Sequence, residues 1–231
     1  MKKAILIALG FFTLISFSQE KIIDIDYTVD YIIHQKRKKN VDTITIGFNK
    51  KGKYLWTNSN VIGKDFSAGF FFNDNEDSAN TNLIYSSENG RLIMLVNEEE
   101  NRIYIDFDVK SILPSRGNSS EKLNLITEPI DLKEKLLGRD LSAYNLFPDT
   151  EPDQPLTILM DESLECDNNA ILIKFIDLLL NNSTDDSAFT FNIPNGLILK
   201  VLIEGETLIE AHKINIKPKQ IIINHSFQIK E

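Results

Sequence analysis

The side chains in this chain that could hold a metal or move a proton are few and scattered. Of its three histidines, His212 and His225 flank Lys217-Pro218-Lys219-Gln220. If those four residues made a tight hairpin, Ile216 would face Ile221 and Ile214 would face Ile223. His212 would then lie opposite His225, with Glu210 on the same face as a third ligand. Cross-strand Cβ atoms stand about 5 Å apart, close enough for two imidazoles to share a zinc ion. A one-residue bulge at the turn would move the pair out of register, so the spacing assigns no metal. Asn73-Asp74-Asn75-Glu76-Asp77 is rich in oxygen ligands but lacks the Gly and the spaced terminal Glu of an EF-hand, and reads as a polar loop.

Other chemistry is equally unmarked. The sequence contains no Gly-x-Ser-x-Gly, no His-Glu-x-x-His, no Cys-x-x-Cys and no phosphate-binding Gly loop. Among its 34 acidic residues no pair is singled out by local sequence, and Glu98-Glu99-Glu100 and Asp185-Asp186 read as solvated turns. The expectation is a protein without enzymatic activity and without a cofactor; a carboxylate-based hydrolase is the form an enzyme would take. Cys166 is the sole cysteine, so no disulfide can form within one chain. It reads as a buried small hydrophobe, with intermolecular pairing as the alternative.

The N-terminus gives an address. Met1-Lys2-Lys3, the apolar run Ala4 to Phe17 and the small-x-small triplet Ser16-Phe17-Ser18 have the form of a secretory signal peptide over residues 1–18. The run is shorter than the roughly 20 residues of a membrane-spanning helix. Cleavage after Ser18 leaves residues 19–231 as one exported β-rich domain, in the periplasm or outside the cell. The whole chain carries a formal charge of −9, and losing Lys2 and Lys3 makes it more acidic still. That balance argues against nucleic acid or an anionic membrane as partner, since both need clustered cations. The basic cluster along the sequence, Lys36-Arg37-Lys38-Lys39, lies between two strand-like segments and reads as a solvated hairpin loop.

Strand signals dominate what must position these residues. Ile23, Ile25, Tyr27, Val29, Tyr31 and Ile33 alternate with polar residues, a period of two with one dry face. Ile44, Ile46 and Phe48 lead through Asn49-Lys50-Lys51-Gly52 into Tyr54 to Thr57. Phe66 to Phe72, Leu83 to Tyr85, Leu92 to Val96 and Ile103 to Val109 continue the pattern. Strands at this spacing predict an antiparallel meander. Leu113 to Lys122 and Asp149 to Pro155 read as loops, and strands resume at Leu197 to Ile203, Leu208 to Ile216 and Ile221 to Ile229.

One segment departs from the strands. Asp167 can cap a helix from about Asn168 to Asn181, polar only along Lys174, Asp177 and Asn181. The predicted fold is therefore mainly β (α+β): a single curved antiparallel sheet or half-barrel with this one apolar helix in its concave face. Tyr27, Tyr31, Phe48, Phe70, Phe72 and Phe107 would line the dry side, facing Ile171, Phe175 and Leu179 of the helix. They form a plain core if the helix covers them fully, and an apolar pocket if it does not.

Ile193-Pro194-Asn195-Gly196-Leu197-Ile198-Leu199-Lys200-Val201 resembles the signature of the GLPGLI family of exported Bacteroidetes-type proteins. Leu136 to Tyr144, leading to Leu156 to Asp161, is similar to that family's order of elements. The resemblance implies an exported domain with a curved sheet and a helix across its mouth, as in the LolA lipoprotein carrier. Two functions follow as expectations: a binding or carrier protein for an apolar ligand such as an acyl chain or lipoprotein, or an interaction protein of the envelope with no small-molecule pocket.

Overall fold

The structure, a computed structural model, describes residues 20–34, 42–58, 80–98, 101–108, 123–153, 155–172, 189–190 and 192–224. Among the described residues fourteen strands run in chain order: β1 (Glu20–Ile25), β2 (Tyr27–Ile33), β3 (Asp42–Phe48), β4 (Tyr54–Thr57), β5 (Asn80–Ser86), β6 (Arg91–Glu98), β7 (Asn101–Asp108), β8 (Leu123–Leu136), β9 (Arg139–Pro148), β10 (Leu156–Asp161), β11 (Phe189–Thr190), β12 (Leu197–Ile203), β13 (Glu206–Asn215) and β14 (Lys219–Asn224). The main sheet has the order β11-β8-β9-β10-β12-β13-β2-β3-β4-β5-β6-β7. Every pairing in it is antiparallel except the two-residue parallel contact of β11 with β8.

This sheet curves without closing into a barrel. Register shifts fall at Ile130/Glu134, Leu159/Met160, Val201/Leu202 and Ala211/Lys213, and such bulges bend and twist a sheet. The curvature shows in Lys200 of β12, whose Nζ lies 2.6 Å from Glu134 Oε1 on β8. β9 and β10 separate those strands, and three strand spacings in a flat sheet would span about 14 Å.

β1 and β14 form a separate two-stranded ribbon. It continues the pairing of β2 with β13: Ile33 faces Ile209 and Thr28 faces Asn215, then beyond the break Ile25 faces Lys219 and Ile22 faces Ile222. The chain kinks at Asp26 on one side and at Ile216 to Pro218 on the other, where proline has no N–H for a ladder. Asp26 turns its N–H to Phe48 O (2.8 Å), and its Oδ2 accepts from the Lys50 N–H (2.7 Å).

The kink corrects two sequence expectations. The run Ile23 to Ile33 is two strands, and its unbroken alternation serves two different cores. Ile23 and Ile25 pack with Trp56, Ile84, Ile93 and Ile223 between the ribbon and β4–β6. Tyr27, Val29 and Tyr31 pack with Ile44, Leu141, Leu159, Leu197 and Leu199. The other correction concerns Lys217 to Gln220, which bend a strand instead of reversing it. β13 pairs with β12 and β2 while β14 pairs with β1, so Ile214 faces Val29 and Ile223 faces Lys21. The hairpin that would have set His212 opposite His225 is therefore not formed. His212 is the unpaired residue of a bulge, and His225 lies outside the described residues.

The β8–β9 hairpin, missing from the strand pattern, also appears. β8 and β9 turn at Leu137-Gly138, both at positive φ (54° and 78°), where glycine is the residue that adopts such angles readily. β10 is buried on both faces. Leu159 faces the cluster around Tyr31, while Ile158 and Met160 pack with Ile193 on the other side.

Candidate functional site

Of the residues expected to line an apolar pocket, those that are described fall in different parts of the fold. Tyr27 and Tyr31 are buried in the cluster with Leu159, Leu197 and Leu199, and Phe48 packs against that cluster. The Tyr31 and Phe48 rings meet edge to face, 6.4 Å apart at 73°. Tyr31 Oη donates to Ile198 O at 2.5 Å, and burial raises the pKa of its hydroxyl well above the ordinary tyrosine value. Phe107 is on β7, five strands away from β2 and opposite Leu92. Phe70, Phe72, Phe175 and Leu179 lie outside the described residues.

Ile171 belongs to a helical turn at residues 168–172 that starts where the sequence placed it. Asp167 Oδ1 caps it by accepting from the Ala170 N–H at 2.9 Å. The turn is held on both sides. Asn168 Nδ2 donates to Pro194 O and Gly196 O (both 2.9 Å). Asn169 exchanges hydrogen bonds with the backbone of Ile193 (2.9 and 3.0 Å), and the Asp167 N–H donates to Lys50 O at 2.9 Å. Leu172 packs against Ile158, Met160 and Ile193, across β10 from the Tyr27–Tyr31 cluster. The start of the helix is thus a fixed bracket on the opposite face, and residues 173–181 lie outside the described residues. Cys166, buried beside it, has its thiol pushed up to about 12 by burial, with Asp167 and Asp26 adding to the shift.

Several carboxylates are engaged in structural pairs. Arg139 Nη1 lies 2.6 Å from Asp161 Oδ2, whose other oxygen accepts from the Ser163 backbone N–H (2.9 Å) and hydroxyl (2.6 Å). Burial alone would raise the Asp161 pKa, but the hydrogen bonds from Ser163 and Arg139 outweigh it and hold the carboxyl below its usual value. Tyr144 Oη donates to Glu162 Oε1 at 2.5 Å, and that bond together with partial burial pushes its hydroxyl up to about 12. Lys200 is shared between Glu134 (2.6 Å) and Glu210 (3.0 Å).

The Asp161 pair makes a pH prediction. A carboxyl with a lowered folded pKa adds stability above its unfolded value, near 3.9, and that stability is lost as pH falls through the folded value. Arg139→Met should therefore cost about 2–4 kcal/mol at pH 7 and clearly less at pH 2.5. Urea denaturation of both proteins at the two pH values checks it; an equal loss at both would show that Arg139 acts through packing alone.

An open concavity lies where the kinked ribbon meets the β3–β4 turn. It is a cleft of about 720 Å³ lined by Asp24, Asp26, Asn49, Lys50, Lys51, Lys53, Tyr54, Pro218, Lys219 and Gln220. Buried Asn49 organises its floor. Its Nδ2 donates to Asp24 O (3.0 Å) and Asp26 Oδ2 (3.2 Å), and its Oδ1 accepts from the N–H groups of Lys51 and Lys53 (3.2 and 3.4 Å). Ser87 at the β5–β6 turn fixes the far side by donating from Oγ to Gly52 O at 2.6 Å. Lys219 Nζ sits 3.0 Å from the centre of the Trp56 ring. Burial there lowers the pKa of its ammonium below the ordinary lysine value.

Sequence reasoning missed this cleft because its cations come from two distant segments, each read only as a turn. Lys50-Lys51-Gly52-Lys53 was the available signal, but Lys219 joins it only through the kink. Lys36 to Lys39, the cluster visible along the chain, lies outside the described residues. Among the described residues no group of three or more His, Cys, Asp or Glu could hold a metal ion, and no helix is long and apolar enough to cross a membrane.

No family model and no curated protein matches the chain. Among solved structures it is similar to PNGF-II in a C2 crystal form, at 13% identity and a TM-score of 0.40 over 82% of this chain. PNGF-II in a P21 form gives 12% identity and a TM-score of 0.38 over the same share. This chain spans about a quarter of their length, 27% and 28%.

Proposed function

We propose that this chain is an exported, non-enzymatic protein of the cell envelope that works by binding at its surface. The observation that carries the reading is the contrast between interior and surface. Tyr27, Tyr31 and Phe48, expected to line an apolar pocket, pack in one buried cluster, while an open cleft lined by lysines and aspartates lies at the kink. The engagement of Asp161, Glu134, Glu210 and Asp26 by structural partners weighs against a carboxylate hydrolase. The signal-like N-terminus and the GLPGLI-like segment supply the address, the periplasm or the outer surface.

A second reading keeps one specific support. The curvature of the sheet suits a carrier of an acyl chain or lipoprotein. Expression of the full chain in an exporting host, followed by native mass spectrometry of the secreted product, separates the two. The surface-binding reading expects a chain starting at Gln19 and free of lipid. A stoichiometric acyl lipid carried through purification would overturn it in favour of the carrier, and retention of the chain in the cytoplasm would overturn both.

A further inference from the structure

The cleft is positively charged within an acidic protein, and its charges are unevenly committed. Both carboxylates that line it are turned towards protein donors. Asp26 Oδ2 accepts from Asn49 and the Lys50 N–H, and Asp24 Oδ1 accepts from Gln220 Nε2 at 2.9 Å. Lys53 is taken up by Glu88, 2.5 Å away. Lys50, Lys51 and Lys219 remain, and among the described residues none of the three pairs with a carboxylate. Lys50 lies over the Tyr27 ring at 5.4 Å, and Lys219 over Trp56 at 3.0 Å.

Lys219 is the informative member. An exposed lysine on a loop is ordinarily a solvated charge. This one is held against an indole face at the kink and partly withdrawn from water, with no carboxylate partner among the described residues. A partly desolvated charge carries a free-energy penalty that an incoming opposite charge recovers. The lysines on the β3–β4 turn reach the same space from the opposite wall, and Asn49 and Ser87 tie that turn down. The walls are thus fixed before any ligand arrives, which reduces the ordering cost of binding.

We propose that this cleft is a binding site for a compact oxyanion, the phosphate or carboxylate group of an envelope component, contacted by Lys219, Lys50 and Lys51. The proposal rests on the surface-binding reading above and names the ligand chemistry of that surface. Its geometry suits a single multivalent headgroup better than an extended polyanion, because Lys50, Lys51 and Lys219 line one concavity instead of forming a stripe.

Trp56 is the only tryptophan in the chain, so its fluorescence reports on the group stacked against it. Purified mature protein would be titrated with inorganic phosphate and, separately, with citrate, at ionic strength held constant with sodium chloride. Isothermal titration calorimetry serves as a readout independent of the indole. The expected result is a saturable response to at least one of the two. It should weaken about tenfold or more in Lys219→Met, persist in Lys219→Arg, and remain within about twofold in Lys135→Met, a lysine of the distant β8–β9 hairpin. Binding of phosphate alone points to a phosphorylated source, and binding of citrate alone to a carboxylate source. Absence of a saturable response to both anions, or equal binding by the wild type and a folded Lys219→Met, would overturn the proposal. Circular dichroism confirms folding of each variant, and Lys219→Arg covers the case in which the methionine variant does not fold. Failure of this test with lipid-free, exported protein would remove the oxyanion and leave the surface-binding reading standing.

Discussion

Replacing Gly52 with Ala should destabilise the protein by about 2–5 kcal/mol, because two costs coincide there. Its φ is +65°, a left-handed conformation that side-chain-bearing residues adopt only with strain. A Cβ would also stand 2.5 Å from Asp167 O and 2.6 Å from Ala170 Cβ, so the turn and the start of the helix would have to separate. Gly90 provides the control. Its φ is +63°, yet a Cβ there meets nothing within 4 Å, so Gly90→Ala should show the backbone cost alone, about 1 kcal/mol. Urea denaturation of the two variants isolates the contact between the β3–β4 turn and the helical bracket. Equal losses would mean that this contact contributes nothing, and that the floor of the cleft is held by Asn49 and Ser87 alone.

Leu159→Ala should cost a similar amount, about 2–5 kcal/mol, as expected for truncating a fully buried leucine. The side chain sits with Tyr27, Tyr31, Leu197 and Leu199, so the measurement asks whether this cluster is core or ligand cavity. Ile22→Ala is the comparison. Ile22 is 50% exposed on the outer face of the ribbon, and its truncation should be nearly neutral. A loss below about 1 kcal/mol for Leu159→Ala would mean that the cluster is not close-packed, and would favour the apolar carrier.

The candidate site was far less legible in the sequence than the strands were. Tyr27, Tyr31 and Phe48 were correctly grouped on one dry face, because a period of two assigns a face without reference to any other part of the chain. Phe107 was placed with them on the same argument. That argument cannot tell neighbouring strands from strands five apart in a twelve-strand order. The His212–His225 pair failed for a related reason. Lys217 to Gln220 has the composition of a hairpin turn, but composition does not say whether a chain reverses or bends, and the pairing of β14 with β1 decided it.

By itself, then, the sequence determined the local quantities: the β-rich class, the position of most strands, and the Asp167 cap at the helix start. These follow from alternation, turn chemistry and capping, which act over a few residues. Only the tertiary structure decided which strands are neighbours, where the sheet bends, and that one alternating run serves two cores on either side of Asp26. It also decided that Lys219 meets Lys50 and Lys51 across a cleft. Those outcomes depend on long-range register and on bulges, single-residue offsets whose effect is felt only when distant strands are brought together.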